Sequence, residues 1–154
     1  MSEKEIAKIL AHDFGVRTNI CVPNLSWGMG FWEMDLAVCT KSGYLKEIEI
    51  KCSMADLRAD KLKTKWRHPH YMSKFAEMVS EYYIAVPVEL ASKIQAEDIQ
   101  ECAGILAVNP DGKFWYEKVN QIRPSTKKRG RKLTTEEQLQ LARLGTMRYW
   151  GRNP

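Results

Sequence analysis

Asp35 and the triplet Glu49-Ile50-Lys51 combine two carboxylates with an amine in a pattern that could act on a phosphodiester. Cleaving that bond needs a water made nucleophilic, neutralised phosphate charge and a stabilised leaving oxygen, and one or two Mg²⁺ ions can supply all three. Mg²⁺ takes hard oxygen ligands, typically one or two carboxylates completed by water and substrate oxygens. A lysine beside the metal can orient the water or stabilise the charge that builds at phosphorus. Asp35 and Glu49 are therefore the candidate metal ligands and Lys51 the candidate catalytic amine, with Mg²⁺, or Mn²⁺ in its place, as the expected cofactor.

The triplet by itself carries little weight, because about one (D/E)-x-K match is expected by chance in a chain this long. A second match, Asp111-Gly112-Lys113, falls in Asn109-Pro110-Asp111-Gly112, where turn chemistry already explains the Asp and the Gly. Glu49-Ile50-Lys51 differs in its setting. From Phe31 to Cys39 the even positions Trp32, Met34, Leu36 and Val38 are apolar and the odd ones include Glu33 and Asp35. After a turn at 41–43, Tyr44 to Lys51 puts Ile48 and Ile50 on one face and Glu47, Glu49 and Lys51 on the other. This is the period of two that strands require. Direct opposition of Asp35 and Glu49 requires cross-strand pairs whose numbers sum to 84, and hence an odd-numbered loop or a bulge. The plainer alternative is a solvated outer face of an edge hairpin with ordinary salt bridges.

The elements around this pair follow from local signals. Ser2 and Glu5 form a capping-box pattern ahead of Ile6, Ile9 and Leu10, which predicts a helix over 3–13 ended by Gly15. A short strand over 18–22 stops at Pro23, and Trp27-Gly28-Met29-Gly30 reads as a loop. Ser53 with Asp56 caps a helix running to about Trp66, with Ala55, Ala59, Leu62 and Trp66 on one side and Arg58, Lys61 and Lys65 on another. Pro69 breaks it, and further segments follow: a helix over 70–80, a strand over 82–86 and a short helix over 88–95. A hairpin pairs 104–108 with 114–118, a basic linker spans 121–132, and a helix capped by Thr134 and Glu137 runs to about Trp150.

The chain has 154 residues, the usual size of one domain, with 44% hydrophobic and 28% charged residues, which argues against global disorder. No apolar run approaches the roughly 20 residues of a membrane helix, and the charged start lacks a signal-peptide apolar region, so the expected location is the cytoplasm. Cys21, Cys39, Cys52 and Cys102 stand apart with no CxxC pair, the pattern of reduced thiols rather than of a zinc site or disulfide framework. Net charge is +5 and unevenly spread: residues from Gln121 onward hold nine Lys or Arg against two Glu, while the first 120 hold fifteen basic and seventeen acidic. That asymmetry suggests a polyanionic partner, with Lys127, Lys128, Arg129, Arg131 and Lys132 as its main contacts. Arg58, Lys61 and Lys65 are further candidates for phosphate contact. Asp56 reads as a cap, His68 and His70 as loop residues, and Trp66 and Tyr71 as core.

The order helix, three strands, helix, strand, with Asp35 on the second strand and Glu49-x-Lys51 ending the third, resembles the PD-(D/E)xK nuclease superfamily. Glu47-Ile48-Glu49-Ile50-Lys51-Cys52-Ser53 with Asp56 and Asp60, then Lys65-Trp66 and Tyr82-Tyr83-Ile84-Ala85-Val86-Pro87, is similar to the MmcB-like family of DNA-repair proteins. Its members typically read EVKSS, an acidic helix start, D-x-x-K and FAVP over this stretch. The similarity spans about residues 5–110; Cys52 departs from the usual small polar residue, and no Pro precedes Asp35. The resemblance implies a restriction-endonuclease-like α/β core (αβββαβ) over residues 1–120, with a central mixed sheet flanked by helices. Residues 121–154 would be a basic C-terminal extension. It implies Asp35 and Glu49 as metal ligands, Lys51 as catalytic lysine, Glu5 as an accessory acid, and DNA as the substrate. Cleavage of two strands would favour a homodimer. The rival readings are a catalytically silent nuclease fold that binds DNA or a repair partner, and a basic interaction protein without chemistry.

Overall fold

Six strands form one mixed sheet whose spatial order follows the chain, in a computed structural model that describes residues 1–26, 32–127 and 130–151. Strands β1 (Ile20–Leu25), β2 (Met34–Cys39) and β3 (Leu45–Ile50) make an antiparallel meander. Strand β4 (Val79–Pro87) is parallel to β3, β5 (Gly104–Val108) is parallel to β4, and β6 (Val119–Arg123) returns antiparallel. Helix α1 (Glu3–Asp13) precedes the sheet; α2 (Met54–Asp60), a 3-10 turn at Thr64–Trp66 and α3 (Pro69–Met78) form the β3–β4 crossover. Helix α4 (Val88–Ala91) follows β4, and α5 (Thr135–Trp150) closes the described chain. No helix among the described residues is long and apolar enough to cross a membrane.

Both faces of the sheet are covered. On one, Ile6 and Leu10 of α1 pack against Leu36, Val38, Ile48, Ile50, Ala85 and Leu106. On the other, Leu57, Phe75, Met78, Leu133 and Leu141 meet Val22, Ala37, Tyr82, Ile84 and Val86. Helix α1 forms where its sequence signals place it: Glu5 N–H donates to Ser2 Oγ at 3.3 Å, Ser2 N–H donates to Glu5 Oε2 at 2.7 Å, and Gly15 leaves the helix at φ +70°. In the β2–β3 hairpin Leu36 stands opposite Ile48 and Ala37 opposite Glu47, the register whose numbers sum to 84, and five residues join the strands. Gly43, at φ +90°, turns that connection.

Several elements differ from the sequence reading. β1 runs through Pro23, which an edge strand tolerates because one row of its amides needs no partner. The helix expected to reach Trp66 stops at Asp60, and Pro69 starts α3 at its first turn, where its missing N–H costs nothing. The hairpin partner of β5 is Val119–Arg123 rather than 114–118, where Trp115–Glu117 forms a 3-10 turn. The helix expected over 88–95 ends at Ala91.

These shifts remove the boundary expected at residue 120, which falls inside β6. The C-terminal segment is no appendage either. Leu133 and Leu141 are buried in the core, Leu133 N–H donates to Gly43 O at 2.8 Å, and α5 packs against β1. The tail completes the α/β unit.

A buried carboxylate–lysine site at the ends of β2 and β3

The register of β2 and β3 sends their odd-numbered side chains to the face covered by α2, α3 and the 3-10 turn. There Asp35 Oδ2 accepts the Ile50 N–H at 2.7 Å, fastening the start of β2 to the end of β3. Lys51 Nζ lies 2.9 Å from Glu49 Oε2, 3.4 Å from Asp35 Oδ2 and 3.5 Å from Asp60 Oδ1. Lys63 Nζ bridges Glu49 Oε2 at 2.7 Å and Asp60 Oδ1 at 2.8 Å. Lys65 Nζ sits 2.7 Å from both Glu47 Oε1 and Glu49 Oε1, over the rings of Trp66 and Tyr82. The Tyr82 hydroxyl and Trp66 indole N–H donate to Asp60 Oδ2 at 3.3 and 3.4 Å. Glu47, Glu49, Lys51, Asp60 and Lys65 are buried; the Asp35 side chain is 23% exposed and that of Lys63 42%, so those two form the rim.

With every group ionised, four carboxylates face three ammonium groups and the site carries a net charge of −1. Burial alone would push Glu49 up, yet Lys65, Lys51 and Lys63 together hold it well below the usual carboxylate range. Burial, reinforced by the neighbouring Glu49 charge, pushes Asp35 up to about 6. Burial raises Glu47 to about 7, since only Lys65 and the Trp32 indole favour its charged form. Burial tends to lower Lys51, Lys63 and Lys65, but the carboxylates around them win and all three are raised. The plain solvated face is thus excluded. These charges are out of water and held by one another.

Asp35, Glu49 and Lys51 are brought together as the sequence proposed. Glu47, Asp60 and Lys63 join them, and sequence reasoning assigned none of the three to the site. Glu47 stood on the right face, and Asp60 with Lys63 and Lys65 repeats a charged pattern just after the capped helix, which was the available signal. Lys65 does not share a surface with Arg58 and Lys61: the helix ends at Asp60, and Lys65 turns inward to be 4% exposed. Arg58 pairs with Asp98 at 2.8 Å and Lys61 donates to Glu97 O at 2.6 Å, so the basic face expected of these three is not formed. Glu5 spends Oε2 on Ser2 and belongs to α1, which packs on the opposite face.

The basic segment is also more engaged than a free arm. Lys127 Nζ donates to Ala76 O at 3.3 Å, Arg131 pairs with Glu77 and Glu137, and Lys132 lies over the Tyr44 ring at 5.4 Å. Lys128 and Arg129 lie outside the described residues, as does the loop at 27–30. His68 and His70 are exposed, Asp56 is exposed beyond the Ser53 cap, and no cysteine among the described residues forms a disulfide.

The donor set is hard oxygen, the chemistry Mg²⁺ prefers. Lysines, however, hold the oxygens that point inward, and no cluster of three His, Cys, Asp or Glu among the described residues is arranged to hold an ion as it stands. Lys63 is the most exposed of the three amines, and without it the site charge would fall from −1 to −2.

No protein-family model matches this chain. No curated protein matches it. Among solved structures it is similar to the SPO1766 protein of unknown function from Silicibacter pomeroyi, with a TM-score of 0.62 and 17% identity over 99% of this chain and 88% of that one. At that identity the likeness shows a shared fold: a mixed α/β architecture around a six-stranded sheet flanked by helices.

Proposed function

We propose that this protein is a metal-dependent nuclease with a restriction-endonuclease-like core, acting on DNA through Asp35, Glu49 and Lys51. The observation that carries this reading is the convergence of Asp35 and Glu49 on Lys51 Nζ, at 3.4 and 2.9 Å, where β2 and β3 meet at the rim. The order helix, three strands, helical crossover and fourth strand in one mixed sheet agrees with the αβββαβ order that the nuclease resemblance implies, and so supports this reading. Asp35 and Glu49 would hold Mg²⁺ or Mn²⁺ in exchange for the Lys51 and Lys63 contacts they now make. The bound ion would polarise the phosphate and lower the pKa of a water. Lys51, keeping Asp60 as its partner, would then face the reacting phosphate as a positive charge. Lys65 and Asp60 hold Glu49 and Lys51 in place.

A second reading, a silent fold that binds DNA without cutting it, is favoured by a specific feature: both oxygens of Glu49 are already satisfied by lysines. The decisive experiment incubates labelled duplex, single-stranded and branched DNA with wild-type protein in Mg²⁺, Mn²⁺ or chelator. The nuclease reading expects metal-dependent cleavage that Asp35→Asn, Glu49→Gln and Lys51→Ala each abolish with the fold intact. Wild-type protein with neither cleavage nor a metal-induced rise in Tm defeats it and promotes the silent fold. Lys63→Ala supplies a separate readout: Mn²⁺ should bind at least about tenfold more tightly by calorimetry, because a competing cation is gone.

A further inference from the structure

Residues Phe114, Trp115 and Tyr116 are 54%, 70% and 59% exposed, three consecutive aromatic side chains left in water. Monomeric proteins rarely leave such a contiguous apolar patch without a use for it. The rings are ordered: Phe114 and Tyr116 stack with centroids 5.3 Å apart and planes within 4°, and Trp115 stands edge-on to Tyr116 at 84°. The backbone beneath them is built to hold that arrangement. Glu117 Oε2 accepts the Lys113 N–H at 2.9 Å and the Phe114 N–H at 3.3 Å, and Asn109 N–H donates to Lys118 O at 2.8 Å.

Between this turn and α1 runs a groove of about 590 Å³, lined by Lys8, His12, Lys113, Trp115 and Lys118 among others. Lys8, Lys113 and Lys118 make no ion pair among the described residues. Two acids, Glu5 and Asp13, also line the groove against the three lysines; Glu5 is engaged by the Ser2 cap, and Glu117 beneath the turn is spent on the amides above. Protein-binding patches are rich in aromatics but depleted of lysine, whereas surfaces for unpaired nucleic acid combine aromatic platforms with lysines that track the backbone. Trp115 offers the platform and the three lysines the charge. The turn leaves the C-terminal end of β5, the end of the sheet at which Glu49 and Lys51 close β3. Helix α1, however, covers the face away from the carboxylates, so this surface is separate from the acid–lysine site.

We propose that the groove between α1 and the 109–118 turn binds single-stranded DNA, with a base stacked on Trp115 and phosphates held by Lys8, Lys113 and Lys118. The stacking does not depend on phosphodiester cleavage; the choice of DNA over RNA rests on the nuclease reading. The test uses the full chain with chelator present and follows anisotropy of a short labelled oligothymidylate across a salt series. Trp115→Ala should weaken binding about tenfold, the loss of one base stack. Lys113→Ala and Lys118→Ala should each flatten the salt dependence by about 0.7 in the log–log slope. Trp150→Ala, at an equally exposed tryptophan 67% accessible in α5, should change nothing.

Unchanged affinity in Trp115→Ala, or an equal loss in Trp150→Ala, would overturn the proposal. Tighter binding of duplex overturns the single-strand assignment, and tighter binding of oligouridylate overturns the choice of DNA. Self-association seen by light scattering and lost in Trp115→Ala would give the surface to a second copy of the chain. Absence of cleavage in Mg²⁺ with oligonucleotide binding intact would count against the nuclease reading and leave this site standing.

Discussion

Strands β2 and β3 present two faces built from alternate residues of the same short segments, and the two are opposite in kind. The even face, with Leu36, Val38, Ile48 and Ile50 against Ile6 and Leu10, is apolar apart from Lys46, which pairs with Glu81 at 2.9 Å. The odd face, one residue along, holds Asp35, Glu47, Glu49 and Lys51 beneath a lid of Asp60, Lys63 and Lys65. Both are buried, but they are held differently. The even face is stabilised by area removed from water, roughly 25 cal/mol for each Å². The odd face persists because each charge has a partner, and its net worth depends on all of them staying in place. An apolar face therefore degrades gradually under substitution, while a paired ionic face fails when one member is removed.

Removing Lys65 should give the largest effect. Lys65→Met strands Glu47 and leaves Glu49 with one cation fewer, an expected loss of about 3–5 kcal/mol in urea unfolding. Replacing both partners, Glu47→Leu with Lys65→Met, should recover most of that loss. A double variant as unstable as the single one would show that the pair contributes through something other than mutual charge compensation. On the even face, Ile48→Val should cost only about 0.5–1.5 kcal/mol, with no change in Mn²⁺ binding. A change in metal affinity there would mean that the faces are not independent.

The smallest expected effect is that of pH, and its sign separates the two kinds of carboxylate. Asp35 and Glu47 are raised to about 6 and about 7, so between pH 4 and those values the folded protein binds protons that the unfolded chain does not. Their contribution therefore makes stability fall as pH rises through that window. Glu49 is lowered, so its contribution is full above the ordinary glutamate range and is lost as pH falls through its depressed folded value. Melting temperature should rise slightly on going from pH 8 to pH 5 and then drop under strong acid. A monotonic fall from pH 8 downward would show that Asp35 and Glu47 are fully charged at neutrality.

Much of the architecture around the site was legible because it is local. The Ser2–Glu5 box set α1 at Glu3–Asp13, and the Thr134–Glu137 box set α5 at Thr135–Trp150, since capping needs only residues three apart. The period of two in 35–39 and 45–50 set which residues share a face, and the odd loop length set their register. Trp32 and Met34, expected beside Leu36 and Val38, instead pack in the opposite core with Ala37 and Phe75. The stop of α2 at Asp60 was not legible. Nothing nearby breaks the helix; the chain turns so that Lys63 and Lys65 can reach Glu47 and Glu49, residues fourteen to eighteen positions away. β6 was misplaced for a similar reason. Phe114–Lys118 is as strand-like in composition as Val119–Arg123, and only pairing with Ile105–Val108 chooses between them.

By itself, then, the sequence determined the helix starts, the alternation of β2 and β3, and the grouping of Asp35, Glu49 and Lys51. All of these are consequences of capping and strand period acting over a few residues. Only the tertiary structure decided that the odd face is buried and that three lysines pair with four carboxylates there. It also decided that β6, Leu133 and Leu141 make the basic tail part of the core. The reason is physical. Burial and charge pairing are properties of what lies across from a residue, and the chain brings those partners in from segments that local propensity does not connect.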